Sequence, residues 1–217
     1  MTTFPGSPKL LKGGIVLLDP DTGLPVQTIV LQYNPDTLTR TLQAQGIGAE
    51  PGDRLEALRL KGPPIETIKI EAEMDATDQM EVADSLTAQL GIFPQLAALE
   101  MMVYPSSRQL LANRNQSQSG TLEIAPMESA LALFIWSQVR VLPVRLTEFN
   151  ITEEAFDSTL NPIRAKIGLG MRVLTVNDLG FSHRGGTLFM TYLQQKEQLV
   201  HKAPTGTLGA LGLRGIP

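Results

Sequence analysis

The chain has no cysteine. Disulfides and thiolate metal sites are therefore excluded, and a reducing cytosol is the expected place of folding. Aromatic residues are scarce, with 7 Phe, 3 Tyr and 1 Trp. Trp136 fits a core strand better than a stacking platform. A basic surplus is missing too: 18 Lys and Arg stand against 22 Asp and Glu, a net charge of −4. Duplex nucleic acid needs such a surplus and is not an expected partner. No apolar run approaches the roughly 20 residues of a membrane span. The opening MTTFPGSPKLLKGG lacks the apolar core of a signal peptide. The expectation is a soluble protein assembled in the cytoplasm, with no direct membrane span. There are 2 histidines and no zinc-ligand spacing, so no metal or cofactor is expected.

What is present is ordinary globular material: 42% apolar and 18% charged residues, with mean hydropathy near zero. The 19 Gly and 15 Pro are scattered and mark many turns. The clearest pattern lies in the last third. From residue 163 every second residue is apolar: Ile163, Ala165, Ile167, Leu169, Met171 and Val173. The alternate face carries Arg164, Lys166, Gly168, Gly170 and Arg172. A period of two means a strand with one face on a core. The other face reads as free and basic, with glycines where a partner can approach closely. Those five residues are the candidate subunit-interface site.

The remaining chain is organised around that strand. Residues 1–13 read as a loose arm. Two apolar strands flank Asp19-Pro20-Asp21-Thr22-Gly23, which reads as a hairpin turn; the later oxygen ligands of a calcium loop are missing. Asn34-Pro35 closes the second strand, and 38–42 continues as a short one. A half-buried strand is expected at 65–74, with Ile68, Ile70, Ala72 and Met74 inward and Thr67, Lys69, Glu71 and Glu73 outward. The period then becomes helical through Met80, Ala83, Leu86 or Thr87, and Leu90, stopped by Gly91. Thr77 or Asp78 is the expected N-cap. A second helix starts at Pro94, runs through Leu96, Leu99 and Val103, and ends before Tyr104-Pro105, with Met101 and Met102 as core filler. The polar stretch 105–128 reads as an exposed, mobile loop. Strands follow at 131–136 and 139–151. In the second, Val144 and Leu146 share one parity while Phe149 and Ile151 take the other, which predicts a β-bulge at Thr147 or Glu148. FDSTLNP is the next turn. A loop containing Gly180, Gly185 and Gly186 precedes a helix at 187–199, and 201–217 is a flexible Gly-rich tail. The domain plan is thus a β domain over 14–176 with a helical insertion at 75–104, and a helical extension over 177–200. The fold class is α+β, mainly antiparallel β.

Candidates for chemistry are few. His183 and His201 are the two histidines, and Ser182, His183 and Asp178 can be written as a triad. The G-x-S-x-G elbow is absent, and adjacent Ser182 and His183 are poorly disposed to share a hydrogen bond. Glu153, Glu154 and Asp157 sit in a charged turn where solvated acids are expected rather than paired catalytic carboxylates. The acids Asp75, Asp78, Glu81 and Asp84 read as the favoured first turn of a helix, not a metal site. Gly168-Leu169-Gly170 lies inside a strand and opens no helix, so it is no phosphate loop. An enzyme is not expected.

The order of elements carries a resemblance. A hairpin runs into Tyr33-Asn34-Pro35. An alternating strand then runs into the acidic turn of Asp75 and Asp78, followed by a helical insertion. After it come an aromatic strand (ALFIWSQ), a bulged strand ending in Phe156-Asp157, and a strand opening Asn161-Pro162-Ile163-Arg164-Ala165. Over residues 12–176 this resembles the tube-protein N-terminal domain family of contractile injection systems, the phage-tail-like particles. The resemblance implies a tube-protein-like β-barrel or sandwich with packed helices. It implies a homo-hexameric ring where the inner tube meets spike and baseplate, with adjacent tube rings, spike protein and baseplate components as partners. The particle would be membrane-attached or released. Many baseplate members carry a LysM module after this domain. Residues 177–217 are too short for one, so peptidoglycan binding is not expected. The alternative is a stand-alone β-sandwich module binding a small ligand or glycan, suggested by the glycine-bearing face and the polar loop.

Overall fold

The computed structural model describes residues 11–19, 22–46, 58–77, 85–118 and 129–216. Seven strands form one sheet: β1 (Gly14–Leu18), β2 (Pro25–Val30), β3 (Leu38–Gln43), β4 (Ile65–Asp75), β5 (Leu131–Ser137), β6 (Arg140–Phe156) and β7 (Pro162–Val173). Their order is β2-β1-β5-β6-β7-β4-β3, and every pairing is antiparallel. The sheet is open rather than closed into a barrel. Its edges are the two short strands β2 and β3, each paired on one side only among the described residues. Helices α1 (Ser85–Leu90), α2 (Phe93–Glu100) and α3 (Ser107–Gln118) separate β4 from β5. Helices α4 (Val176–Leu179) and α5 (Arg184–Val200) follow β7.

The alternating strand sits near the centre because it can satisfy two apolar neighbours at once. On β7, Ala165, Ile167, Leu169, Met171 and Val173 are buried. Met171, Leu169, Ile167 and Ala165 lie opposite Ile68, Ile70, Ala72 and Met74 of β4. On the other side Val173, Met171, Leu169 and Ile167 face Val144, Leu146, Phe149 and Ile151 of β6. Fully burying a Val, Leu, Ile or Met side chain in these rows contributes about 1.5–3 kcal/mol. Between Leu146 and Glu148 the β6–β7 register slips by one residue, so Thr147 is the bulge that the parity change predicted. The bulge explains Gly170: a Cβ there would lie 2.7 Å from the Glu148 Cβ.

Ile92, Leu96 and Leu99 of the α2 region, and Phe189 and Tyr192 of α5, join the same buried cluster as the strand residues. The α2 region and α5 therefore pack on the apolar face. Gly91 stops α1 with φ +56°, and Ile92 N donates to Pro162 O at 3.0 Å. That contact ties the helical segment to the start of β7. The preceding turn is held by Asp157. Its carboxylate accepts from Thr159 N (2.7 Å) and Asn161 N (2.8 Å), and from the Asn161 side chain (2.8 Å).

Several expectations need correction. Residues 107–118 form helix α3 rather than loop, although the exposure was expected: none of its residues is buried. Met101 and Val103 are each 50% exposed, not core, while Met102 packs against the core. Helix α5 begins at Arg184, earlier than expected, so Gly185 and Gly186 form its first turn. Both are buried there because α5 crosses close to the chain before it; a Cβ on Gly186 would meet Gly180 O at 1.9 Å. Residues 176–179 form α4, capped by a box between Thr175 and Asp178. The tail to residue 216 is exposed, with a 3-10 turn at Leu208–Leu211. Asp78, Met80, Glu81, Ala83 and Asp84, the arm before residue 11 and the last part of the 105–128 stretch lie outside the described residues.

Candidate functional site

The five predicted site residues all fall on β7, but the face they share is not free and basic. Arg164 bonds Asp75 of β4 at 2.7 Å, and Lys166 bonds Glu154 of β6 at 3.0 Å. Arg172 bonds Asp178 of α4 at 2.7 Å. A fourth pair, Lys69–Glu148 at 2.7 Å, bridges β4 and β6 over the glycines. The antiparallel register causes this. Asp75 lies opposite Arg164, Glu73 opposite Lys166, and Glu148 opposite Gly170. A strand that reads as basic alone is flanked by acidic strands, and the face is charge-matched.

The titrations follow. Hydrogen bonds from Thr77, then the Arg164 guanidinium, hold Asp75 below its usual carboxylate range despite some burial. Glu148 is lowered by Lys69, while Arg164 is raised by Asp75 and Lys166 by Glu154. All these groups are charged at neutral pH. They offer polar recognition but no proton to exchange there.

Two irregularities break the face. A shallow trough of about 360 Å³ lies over Gly168 and Gly170, bordered by Thr39, Lys69, Glu148 and Asn150. Glu71 also borders it. Its cross-strand neighbour is Gly168, and it is exposed with no ion-pair partner among the described residues. The second is a cleft of about 870 Å³ at the end of the sheet, lined by Leu17, Met101, Tyr104, Leu131, Leu146 and His183 among others.

The hydrolytic arrangement does not assemble. His183 is the N-cap of α5, its Nδ1 accepting from Gly185 N at 3.0 Å. The Asp178 carboxylate accepts from Thr175 N at 2.9 Å and from Arg172 at 2.7 Å. These bonds serve helix ends, whereas a triad needs the base held between nucleophile and acid. His201 is the C-cap residue of the same helix. Among the described residues no three His, Cys, Asp or Glu side chains cluster as a metal site. No helix there is long and apolar enough to cross a membrane.

One charged residue escaped the sequence reading. Glu66 is 3% exposed on the core face of β4. Its carboxylate lies 2.6 Å from Arg40 of β3 and 3.4 Å from Lys196 of α5. Tyr192 completes the cluster: its hydroxyl accepts from Arg40 at 3.1 Å, and Lys196 sits 4.2 Å from its ring centre. The network clamps the C-terminal helix and the edge strand together. The signal was available, because Glu66 shares the parity of Ile68 and Ile70. Comparison with protein-family models gives no match, and comparison with curated proteins gives none.

Proposed function

We propose that this chain is a non-enzymatic structural subunit of a contractile injection system, forming a hexameric ring that adapts the inner tube to the spike and baseplate. The observation that carries the reading is the open seven-stranded antiparallel sheet, with short strands β2 and β3 unpartnered on their outer sides among the described residues. Unpaired edges are covered, blunted or used for association. Here the two edges are different strands, so joining them between copies is a heterologous contact, the kind that generates rings when the rotation closes. The finer description of the fold as a tube-protein-like barrel or sandwich belongs to this proposal, since neighbours would complete the open sheet. The element order from Tyr33-Asn34-Pro35 to Asn161-Pro162 supports the same reading.

Mass measurement of the purified chain across concentration tests the ring. Six copies of 23.6 kDa give a species of about 142 kDa. The cleft of about 870 Å³ favours a second reading, a stand-alone binding module, because its size suits a small ligand. A monomer at every concentration, stabilised by one small ligand or glycan, would select that reading over the ring.

A further inference from the structure

We infer that helix α3 of one copy docks on the outer sheet face of a second copy, with its arginines directed to the trough beside Glu71. The inference rests on the ring-subunit reading and assigns it a contact surface. Helix α3, Ser107–Gln118, has no buried residue. An isolated helix of this length is marginal in water, so its own chain leaves it without the packing that usually holds such a helix. Leu110 and Leu111 are 53% and 58% exposed. Arg108 and Arg114 lie on either side of Leu111 around the helix and about 9 Å apart along its axis. The helix has no acid, and neither arginine has a partner among the described residues. Arg108 also sits in the first turn, where the helix dipole disfavours a cation. The helix is a cationic, partly apolar stripe whose arginines no acid among the described residues neutralises.

The outer face offers the complement. After Lys69 pairs with Glu148 and Lys166 with Glu154, Glu71 and Glu73 are the exposed carboxylates of β4 left without an ion pair among the described residues, and Glu71 is the one that borders the trough. Beside it, Gly168 has no internal requirement to be glycine. A Cβ there would meet the Asn150 Cβ at 3.6 Å, an ordinary contact, in contrast to Gly170 under the bulge. Glycine weakens a strand interior, and here it keeps the trough floor open for an incoming side chain. An arginine stem over Gly168 would bring its guanidinium to Glu71. Ser106 and Gln109, at the root of α3, line the end cleft with core-side Leu17 and Leu146. The root of α3 therefore lies at the end cleft and not at the trough, and the inferred contact joins different copies head to tail.

The test is charge reversal followed by self-association of the full chain, measured by sedimentation. Arg108→Glu with Arg114→Glu should weaken association at least about tenfold, since like charges then face each other. Adding Glu71→Arg should restore it to within about threefold. Because the chain has no cysteine, Arg114→Cys and Glu71→Cys give a second readout. Mixed under mild oxidation, the two variants should form a disulfide-linked dimer. Unchanged association in the reversed variant, or loss without rescue and no cross-link, overturns the inference while leaving the ring reading intact. A wild-type chain that never self-associates overturns both.

Discussion

Replacing Glu66 by Gln should loosen the C-terminal helix and lower global stability by about 2 kcal/mol. Removing one partner of a buried ion pair costs about 3–5 kcal/mol when the other charge stays buried. Here the cations have outlets: the Arg40 and Lys196 side chains are 25% and 35% exposed, against 4% for Glu66. Part of the penalty is therefore relieved by water, which brings the expected loss to the lower figure. For a chain of this length that is about 4–8 °C in Tm. Urea unfolding gives the free energy, and hydrogen exchange locates it. Protection should fall around Tyr192 and Lys196 of α5 and along β3, while the β6–β7 core stays protected. Replacing Glu66, Arg40 and Lys196 together by Met should recover most of the loss, because no charge is then stranded. A change below about 0.5 kcal/mol in Glu66→Gln, with α5 exchange unaltered, would refute the clamp.

Gly186→Ala should destabilise by at least about 3 kcal/mol, because its Cβ meets a carbonyl oxygen rather than a movable side chain. Gly168→Ala should be neutral or stabilising by up to about 1 kcal/mol; thermal melts of both variants check the contrast. In acid, Asp157 is held at about 2, from an ordinary 3.8, first by the Asn161 side chain. In the unfolded chain this group takes its proton near pH 4, so the stability it supplies is complete above that and is lost as pH falls towards 2. Unfolding between pH 2 and 5 should show a shallower pH dependence in Asp157→Asn than in the wild type.

Much of the sheet was legible because a period of two survives in any register. The strands at 65–74 and 163–173 are visible in the sequence, and the parity change between Leu146 and Phe149 narrows the bulge to Thr147 or Glu148, of which the register selects Thr147. What was not legible depended on residues distant in the chain. Arg164 meets Asp75 across 89 positions, so the neutralisation of the basic strand had no local sign. Helix α3 was hidden by Asn, Gln and Ser, which read as loop by composition. The start of α5 was hidden by Gly185-Gly186, whose glycines serve a close approach rather than a turn. Glu66 differs from these: its charge at a core-parity position of β4 was a readable anomaly.

The central claim is a place in an assembly, and a density map of intact phage-tail-like particles containing this chain tests it most directly. The account predicts six copies in one ring at the junction of tube and spike, with β2 of each subunit beside β3 of the next. Particles whose tube–spike junction is complete without this chain would contradict it.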